Sequence, residues 1–171
     1  MKLAKKRAIV FSLLFFFSGS FALYCQGDES FLLFGFSLNS LPYSFSNSWL
    51  ISQGGDYPIA GELKGGYEAG LAYKSFDDRA EYHLKTFLNT RYDVIRLKQM
   101  NFYIGAGAGL LQLMKVTRLQ SSFNLFIGYQ GIVGAKIGRA GKDKLCLEIQ
   151  LFKSGAEGHG LQVNFLAGVR F

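Results

Sequence analysis

Long stretches of the 171-residue chain alternate apolar side chains with polar or small ones, which is the period of a β-strand. In segment 101–111, for example, Phe102, Ile104 and Leu110 lie on one face and Gly105 and Gly107 on the other. No segment has a convincing helical period. The alternating segments are 30–39, 59–75, 80–94, 101–111, 123–138, 144–153 and 161–171. The pattern therefore predicts an all-β fold built from long antiparallel strands.

Seven strands do not close an up-and-down barrel whose two chain ends lie on the same side, because that closure needs an even number. Residues 41–57 form the one remaining stretch of sufficient length, and Phe45, Asn47 and Trp49 alternate there with serines. We therefore predict another strand at 43–52 and a single eight-stranded antiparallel barrel at 30–171. The alternative is that one long segment contains a strand plus a turn. Pro42 and Pro58 lie outside the predicted strands, as ladder hydrogen bonding requires.

The N-terminal residues have the order charged, apolar, small. Four cations in the first seven residues precede an apolar run at 8–17, which is too short to cross a bilayer. We predict a secretory signal peptide at 1–22, cleaved after Ala22, and a short leader at 23–29. The alternative is a lipoprotein precursor cut before Cys25, although Tyr24 stands where that processing favours a small residue.

Charge and cysteine content exclude several classes of function. The net charge is +7, and removing 1–22 takes away four cations and leaves about +3, which does not indicate a nucleic-acid partner. Cys25 and Cys146 provide no disulfide framework. The chain has no CxxC, HExxH or Walker-type motif, so we predict no metal site and no cofactor.

The alternation fits two kinds of barrel, because either face could line the interior. In a lipocalin-like secreted barrel the apolar face would enclose a ligand, whereas in a membrane barrel that face would meet lipid. The glycines favour the membrane barrel, since they share the charged face and suit the crowded concave side of a narrow barrel. Tyrosines and phenylalanines also lie towards the segment ends, as an aromatic girdle would. These glycines are Gly66, Gly70, Gly105, Gly107, Gly109, Gly128, Gly134 and Gly168.

Three stretches resemble the small eight-stranded bacterial outer-membrane barrels, a family that includes opacity-type proteins and the transmembrane domain of outer-membrane protein A. They are the strand end at 88–93 (LNTRYD), the strand at 102–109 (FYIGAGAG) and the last three segments in their order and spacing. The resemblance covers roughly residues 80–171. It implies export to the outer membrane, contact with outer-membrane lipid and lipopolysaccharide, and a monomer.

The chain ends on a strand whose outer face carries Phe165, Ala167, Val169 and the terminal Phe171. In the family that the chain resembles, such an ending is the signal that the barrel-assembly machinery binds. We therefore predict that these four residues form an assembly signal.

The charged face is predicted to form a network inside the lumen, because an isolated buried ion costs several kcal/mol. A tight hairpin at Asp77 and Asp78 would pair residues whose numbers sum to about 155 and would place Lys74 beside Glu81. A slip of two would pair Glu68 with Lys85 instead. The predicted network consists of Glu62, Lys64, Glu68, Lys74, Glu81, His83, Lys85, Arg91, Asp93, Lys136, Glu148 and Arg170.

These features predict an outer-membrane barrel with a plugged, salt-bridged lumen and a structural or surface-interaction role, with an unidentified surface ligand. A narrow pore is the first alternative, and a lipid A-modifying enzyme and a lipocalin-like binder are further ones. Neither His83 nor His159 lies in the His-x-Ser strand pattern of the barrel deacylases, so we predict no catalytic residues. The longer loops are expected at 41–58 and 115–122, where Lys115 and Arg118 would face lipopolysaccharide.

Overall fold

The computed structural model describes residues 29–41, 44–75, 79–117, 120–138, 144–155 and 160–171. The predicted signal peptide and leader up to residue 28, Cys25, Pro42, Arg118 and His159 lie outside these residues. No helix in the described part has the length and hydrophobicity of a membrane span. Its strands are β1 (Glu29–Leu41), β2 (Ser44–Ala60), β3 (Leu63–Ser75), β4 (Arg79–Arg96), β5 (Met100–Thr117), β6 (Ser121–Ile137), β7 (Lys144–Ser154) and β8 (Gln162–Arg170).

The eight strands form one closed barrel in which each strand pairs with its neighbours in sequence and β8 pairs with β1. Every pairing is antiparallel. The predicted fold class is therefore confirmed. Glu29 and Phe171 lie at one end of the barrel, which we call the termini end. The opposite end, where β1 connects to β2 and β7 to β8, we call the loop end.

Strand β2 is the element that the sequence described least well. It was predicted at 43–52 but extends to Ala60, so the expected long loop at 41–58 is wrong. Pro58 therefore lies inside a strand, although the register shifts between Pro58 and Ala60, where a missing N–H is tolerated. Strand β3 begins at Leu63 after a turn at Gly61, whose φ of 54° favours glycine. The segment 59–75, which the sequence predicted as one strand, therefore contains the end of β2, the turn and β3.

The expected loop at 115–122 is also wrong. Strand β5 continues to Thr117 and β6 begins at Ser121, so Lys115 belongs to a strand. Strands β4 and β5 each reach 18 residues, which is longer than the sequence pattern predicted. The barrel therefore has long walls joined by short connections.

The two faces of the wall carry different side chains. On the outer face, Trp49 is 77% exposed and Leu88 is 75% exposed. On the inner face, which we call the lumen, Arg91 and Arg170 are fully buried. A barrel that exposes tryptophan and leucine while burying arginine is the reverse of a water-soluble protein. This inversion determines what the lumen and the outer face can each do.

Candidate functional site: the charged lumen

The centre of the lumen holds two arginines among three carboxylates, which we call the central cluster. It consists of Asp56, Glu68, Arg91, Glu148 and Arg170. The Arg91 guanidinium donates to Asp56 Oδ1 at 2.6 Å and to Glu68 Oε2 at 3.3 Å. Arg170 donates to Asp56 Oδ2 and, through Nη2, to Glu148 Oε1 at 2.9 Å. Each arginine therefore bridges two carboxylates from different strands, which ties the walls together across the lumen.

A glycine on the neighbouring strand makes room for the long side chain of Arg91. Gly105 lies beside Arg91 in the β4–β5 register. A Cβ on Gly105 would approach Arg91 Cγ to 3.1 Å. Glycine on the lumen face thus lets the arginine stem cross a narrow interior.

A second cluster lies at the termini end, where three lysines surround one carboxylate. Glu29 accepts hydrogen bonds from Lys64 at 2.9 Å, Lys136 at 2.8 Å and Lys144 at 3.0 Å. Asp93 lies 4.0 Å from the Lys136 ammonium. The central cluster contributes two cations and three carboxylates and the termini cluster three cations and two carboxylates. The ten groups together are electrically neutral, which offsets the cost of burying them.

Neutral polar side chains complete the hydrogen bonding around Glu68. Its carboxylate accepts from Ser52 at 2.7 Å, from Asn89 at 3.0 Å and from Gln150 at 2.9 Å. Gln130 adds a bond to the same carboxylate at 3.2 Å and another to Asn89 at 2.9 Å. Strands on several sides of the barrel therefore meet at one buried carboxylate, which makes the network continuous.

Tyr103 joins the central cluster to the wall. Its hydroxyl donates to Glu148 Oε1 at 2.6 Å and lies 3.0 Å from the Cys146 thiol. Its ring occupies the space that a Cβ on Gly134 would fill. Gly134 is thus the position on β6 that accommodates the Tyr103 ring.

Replacing Gly134 by valine is expected to lower the free energy of unfolding by about 1–3 kcal/mol, since the new side chain must displace the Tyr103 ring from a packed interior. Urea titration of the folded barrel in lipid vesicles measures the change. Gly131→Val is the matched control, because a Cβ there meets nothing within 4 Å. Equal losses for the two variants would contradict the packing role of Gly134.

The lumen also contains aromatic side chains that were not part of the predicted network. Phe31 packs between the two arginines, with its ring centre 4.9 Å from Arg91 Cζ and 4.6 Å from Arg170 Cζ. Nearer the loop end, Phe87 and Phe152 meet edge to face at 5.7 Å, and the Lys85 ammonium lies 4.2 Å from the Phe152 ring centre. The plug thus combines ion pairs with aromatic rings that favour cations on their faces.

The loop end carries the remaining predicted lumen residues. Lys74 lies directly across from Glu81, which is the pairing expected for a register sum of 155, so the alternative slipped register is not the one present. His83 Nε2 lies 3.6 Å from Glu81. Lys85 reaches inward and donates to Gln162 at 3.3 Å. All four predicted residues are buried on the lumen face.

The predicted network differs from the observed one at three carboxylates. Glu62 lies in the turn between β2 and β3, where it pairs with Arg96 at the rim of the barrel. Glu29 and Asp56 are central to the two clusters but were not predicted. Glu29 falls one residue before the predicted barrel and Asp56 in the predicted loop. With a period of two, Asp56 shares a face with Gly54 and Pro58, and this pattern could have identified it as a lumen residue.

The four residues of the predicted assembly signal lie on the outer face along β8, the strand that closes the barrel against β1. Phe165 stacks on Phe36 of β1 with ring centres 5.2 Å apart. Phe171 exchanges two backbone hydrogen bonds with Ser30, at 2.8 and 2.9 Å. Ala167 and Val169 lie between them on the same face. The terminal residue is therefore ordered against β1.

Among the described residues, no cluster of histidine, cysteine, aspartate and glutamate could hold a metal ion. In the central cluster and the termini cluster the charged side chains are paired with one another, and their charges sum to zero. The arrangement supports an interior in which ion pairs and hydrogen bonds connect strands across the lumen.

A closed eight-stranded wall with an apolar exterior and a charged interior defines the fold of the small outer-membrane β-barrels. In structure comparison the chain is similar to Neisserial surface protein A, with a TM-score of 0.69 and 15% identity over 83% of this chain and 93% of that one. It is also similar to Ail of Yersinia pestis, the attachment invasion locus protein (TM-score 0.52, 12% identity, 85% and 100% coverage). The outer-membrane enzyme PagL gives a TM-score of 0.54 at 11% identity, with 84% and 98% coverage.

No protein-family model matches the sequence, and no curated protein matches it. The likeness to the solved structures therefore concerns the fold. It includes proteins described as a surface protein, an attachment protein and an enzyme, so the fold by itself does not select a function.

Proposed function

We propose that this chain is a bacterial outer-membrane barrel with a plugged lumen and a structural or surface-interaction role. The observation that carries the proposal is the inverted distribution of charge. Except for Lys153, the charged side chains of the described strands lie on the lumen face, while the outer face is predominantly apolar. Such a surface is suited to hydrocarbon, where charged side chains on the lipid face are destabilising.

Residence in the outer membrane is tested by gel mobility and by fractionation. A closed membrane barrel resists detergent at room temperature and changes mobility on heating, and it sediments with outer membranes. Recovery of the mature protein in the soluble periplasmic fraction would contradict the proposal. A bound apolar ligand after purification without detergent would favour the secreted lipocalin-like alternative.

The plugged lumen is supported by the two clusters, which are neutral when taken together, and by geometry, because eight strands leave an interior that side chains just fill. We expect no steady conductance from the purified barrel in a planar bilayer. Steps of constant size that scale with salt concentration would overturn the plug and favour a narrow pore. The Gly134→Val variant serves as a comparison, since it disturbs the packing of Tyr103 in the same layer.

We also propose that the barrel has no catalytic activity. The fold does not decide this point, because it is similar to that of an enzyme as well as to that of a surface protein. His83 lies beside Glu81 in a strand and outside any His-x-Ser pattern, which supports a structural role. Lipid A profiling of a deletion strain tests this point. An altered acyl pattern that the intact gene restores would favour the lipid A-modifying alternative.

A surface role is supported by the length of the wall. Strands β4, β5 and β6 have 17 or 18 residues. A strand needs only about 9–11 residues to cross the hydrocarbon region, so the walls extend beyond it. The connections are short, so a partner would contact strand ends rather than long loops. We propose a monomer that is assembled by the barrel-assembly machinery and surrounded by outer-membrane lipid and lipopolysaccharide.

A further inference from the structure

The outer face of the described strands carries a single charged side chain. Lys153 points outward near the end of β7, in the alternating column that begins with Leu145 and Leu147. It is exposed, and it pairs across the ladder with Tyr129, which is 63% exposed. Every other lysine or arginine in the described strands occupies a lumen-face position. Lys153 is therefore the one outward cation of the described strands, and it lies at the loop end.

An apolar track leads from this lysine down the outside of the barrel. The facing pairs of β6 and β7 along it are Tyr129 with Lys153, Gly131 with Leu151, Val133 with Ile149 and Ala135 with Leu147. The lower pairs line a groove of about 570 Å³ whose other walls are phenylalanines of β1, β5 and β8. These phenylalanines are Phe34, Phe36, Phe102 and Phe165.

Gly131 keeps the track open between the groove and the lysine. It lies on the outer face, and a Cβ there would meet nothing within 4 Å. No internal packing therefore requires glycine at this position. The missing side chain leaves a notch in the outer wall between the groove and the pair Tyr129 and Lys153, where an acyl chain that extends from the groove would pass.

The length of the track matches one leaflet. From Leu147 to Lys153 the strand advances six residues, which is about 20 Å at the rise of an antiparallel strand. With a strand tilt of about 35–45°, this corresponds to about 15 Å along the membrane normal. A hydrocarbon core about 30 Å thick gives each leaflet about 15 Å. The track thus has about the length of one leaflet, and its upper end lies at the loop end.

We propose that this track binds one acyl chain of an anionic, phosphate-bearing membrane lipid, with the Lys153 ammonium paired to the lipid phosphate. Three observations select this occupant: the apolar groove, the leaflet-long path and the single cation at its upper end. A second copy of the chain would instead bring two outward lysines close together. The inference rests on the proposed membrane residence and adds a specific lipid site to it.

The test is native mass spectrometry of the folded full-length barrel in detergent, titrated with dimyristoylphosphatidylglycerol or dimyristoylphosphatidylcholine. The two lipids have the same acyl chains and differ in net charge. We expect the wild-type barrel to bind the anionic lipid more tightly. Lys153→Gln should lose this preference by about fivefold, which corresponds to the ~1 kcal/mol that one lysine contributes near an anionic membrane surface.

Filling the notch tests the apolar part of the site separately. Gly131→Leu should weaken binding of both lipids, because its side chain occupies the track without disturbing the interior. Lys98→Gln, in an exposed turn at the termini end, and Thr86→Leu, on the outer face of β4, are the matched controls. Both controls should bind the two lipids as the wild type does.

The outcomes separate this inference from the proposed function. A wild-type chain that never gives a heat-modifiable, vesicle-inserted barrel would overturn both. An inserted barrel that binds the two lipids equally would overturn the lipid site alone. So would equal effects of Lys153→Gln and Lys98→Gln, or of Gly131→Leu and Thr86→Leu.

Discussion

Replacing Arg170 by methionine is expected to lower the free energy of unfolding by about 3–5 kcal/mol, the usual cost of removing one partner of a buried ion pair. Arg170 is 1% exposed, and it contacts Asp56 and Glu148 in the central cluster. Methionine retains much of the side-chain volume but leaves excess negative charge in the lumen. Urea unfolding of the folded barrel in lipid vesicles, followed by tryptophan fluorescence and heat-modifiable mobility, measures the loss.

The matched control is Arg96→Met. Arg96 also contacts two carboxylates, Asp93 and Glu62, but its side chain is 51% exposed at the rim. Exposed pairs contribute about 0–1 kcal/mol, so this variant should unfold nearly as the wild type does. Similar losses for the two variants would show that burial does not increase the contribution of the Arg170 ion pairs to the free energy of unfolding.

A double variant keeps the test informative if Arg170→Met alone does not fold. Adding Asp56→Asn removes one of the carboxylates that Arg170 neutralises, so the double variant should recover part of the lost stability. Recovery would indicate that uncompensated charge, rather than lost packing, causes the defect. A double variant less stable than the single one would contradict this explanation.

The position of Arg170 explains why its loss should matter to the whole barrel. Strand β8 has nine residues, half the length of β4, and it must close the wall against β1. Arg170 at its end reaches Asp56 on β2 and Glu148 on β7, while Glu29 at the start of β1 holds lysines from β3, β6 and β7. The lumen clusters therefore brace the closing strand, whose ladders with β1 and β7 are the shortest in the barrel.

The strands and their faces were predictable because period two persists over many residues. In β7, for example, Leu145, Leu147 and Ile149 face outward and Cys146 and Glu148 inward, as the alternation predicted. A one-residue error would have reversed every side chain, so a long run determines its own faces. The short connection around residues 76–78 reduced the β3–β4 register to two alternatives, and the structure has the one that pairs Lys74 with Glu81.

Strand β2 and the composition of the lumen were not predictable in the same way. Ser, Gly and Pro in 52–58 indicate a turn locally, and pairing with β1 and β3 overrides this preference. Asp56 was missed for that reason. Phe31 and Phe152 were not included in the predicted network, because alternation identifies a face but not its surroundings. A ring that packs on a buried guanidinium or ammonium has the same sequence signal as one facing lipid.

Replacing Phe171 by alanine is expected to lower the amount of assembled barrel in cells several-fold while changing the free energy of unfolding by only about 0.5 kcal/mol, as exposed substitutions usually do. The Phe171 side chain is 49% exposed on the outer face, and its hydrogen bonds to Ser30 use backbone atoms that alanine retains. If the terminal strand is the proposed assembly signal, its ring acts when β8 pairs with the machinery as an added strand.

The measurement compares heat-modifiable protein in outer-membrane fractions with the stability of the same variant folded in vesicles. Phe123→Ala is the matched control, because Phe123 is 59% exposed on the outer face at the loop end. It should assemble normally, and Phe171→Trp should restore assembly by returning a terminal aromatic ring. An undiminished yield for Phe171→Ala would contradict the assembly signal, whereas an equal loss for Phe123→Ala would indicate a general need for outer-face aromatic rings.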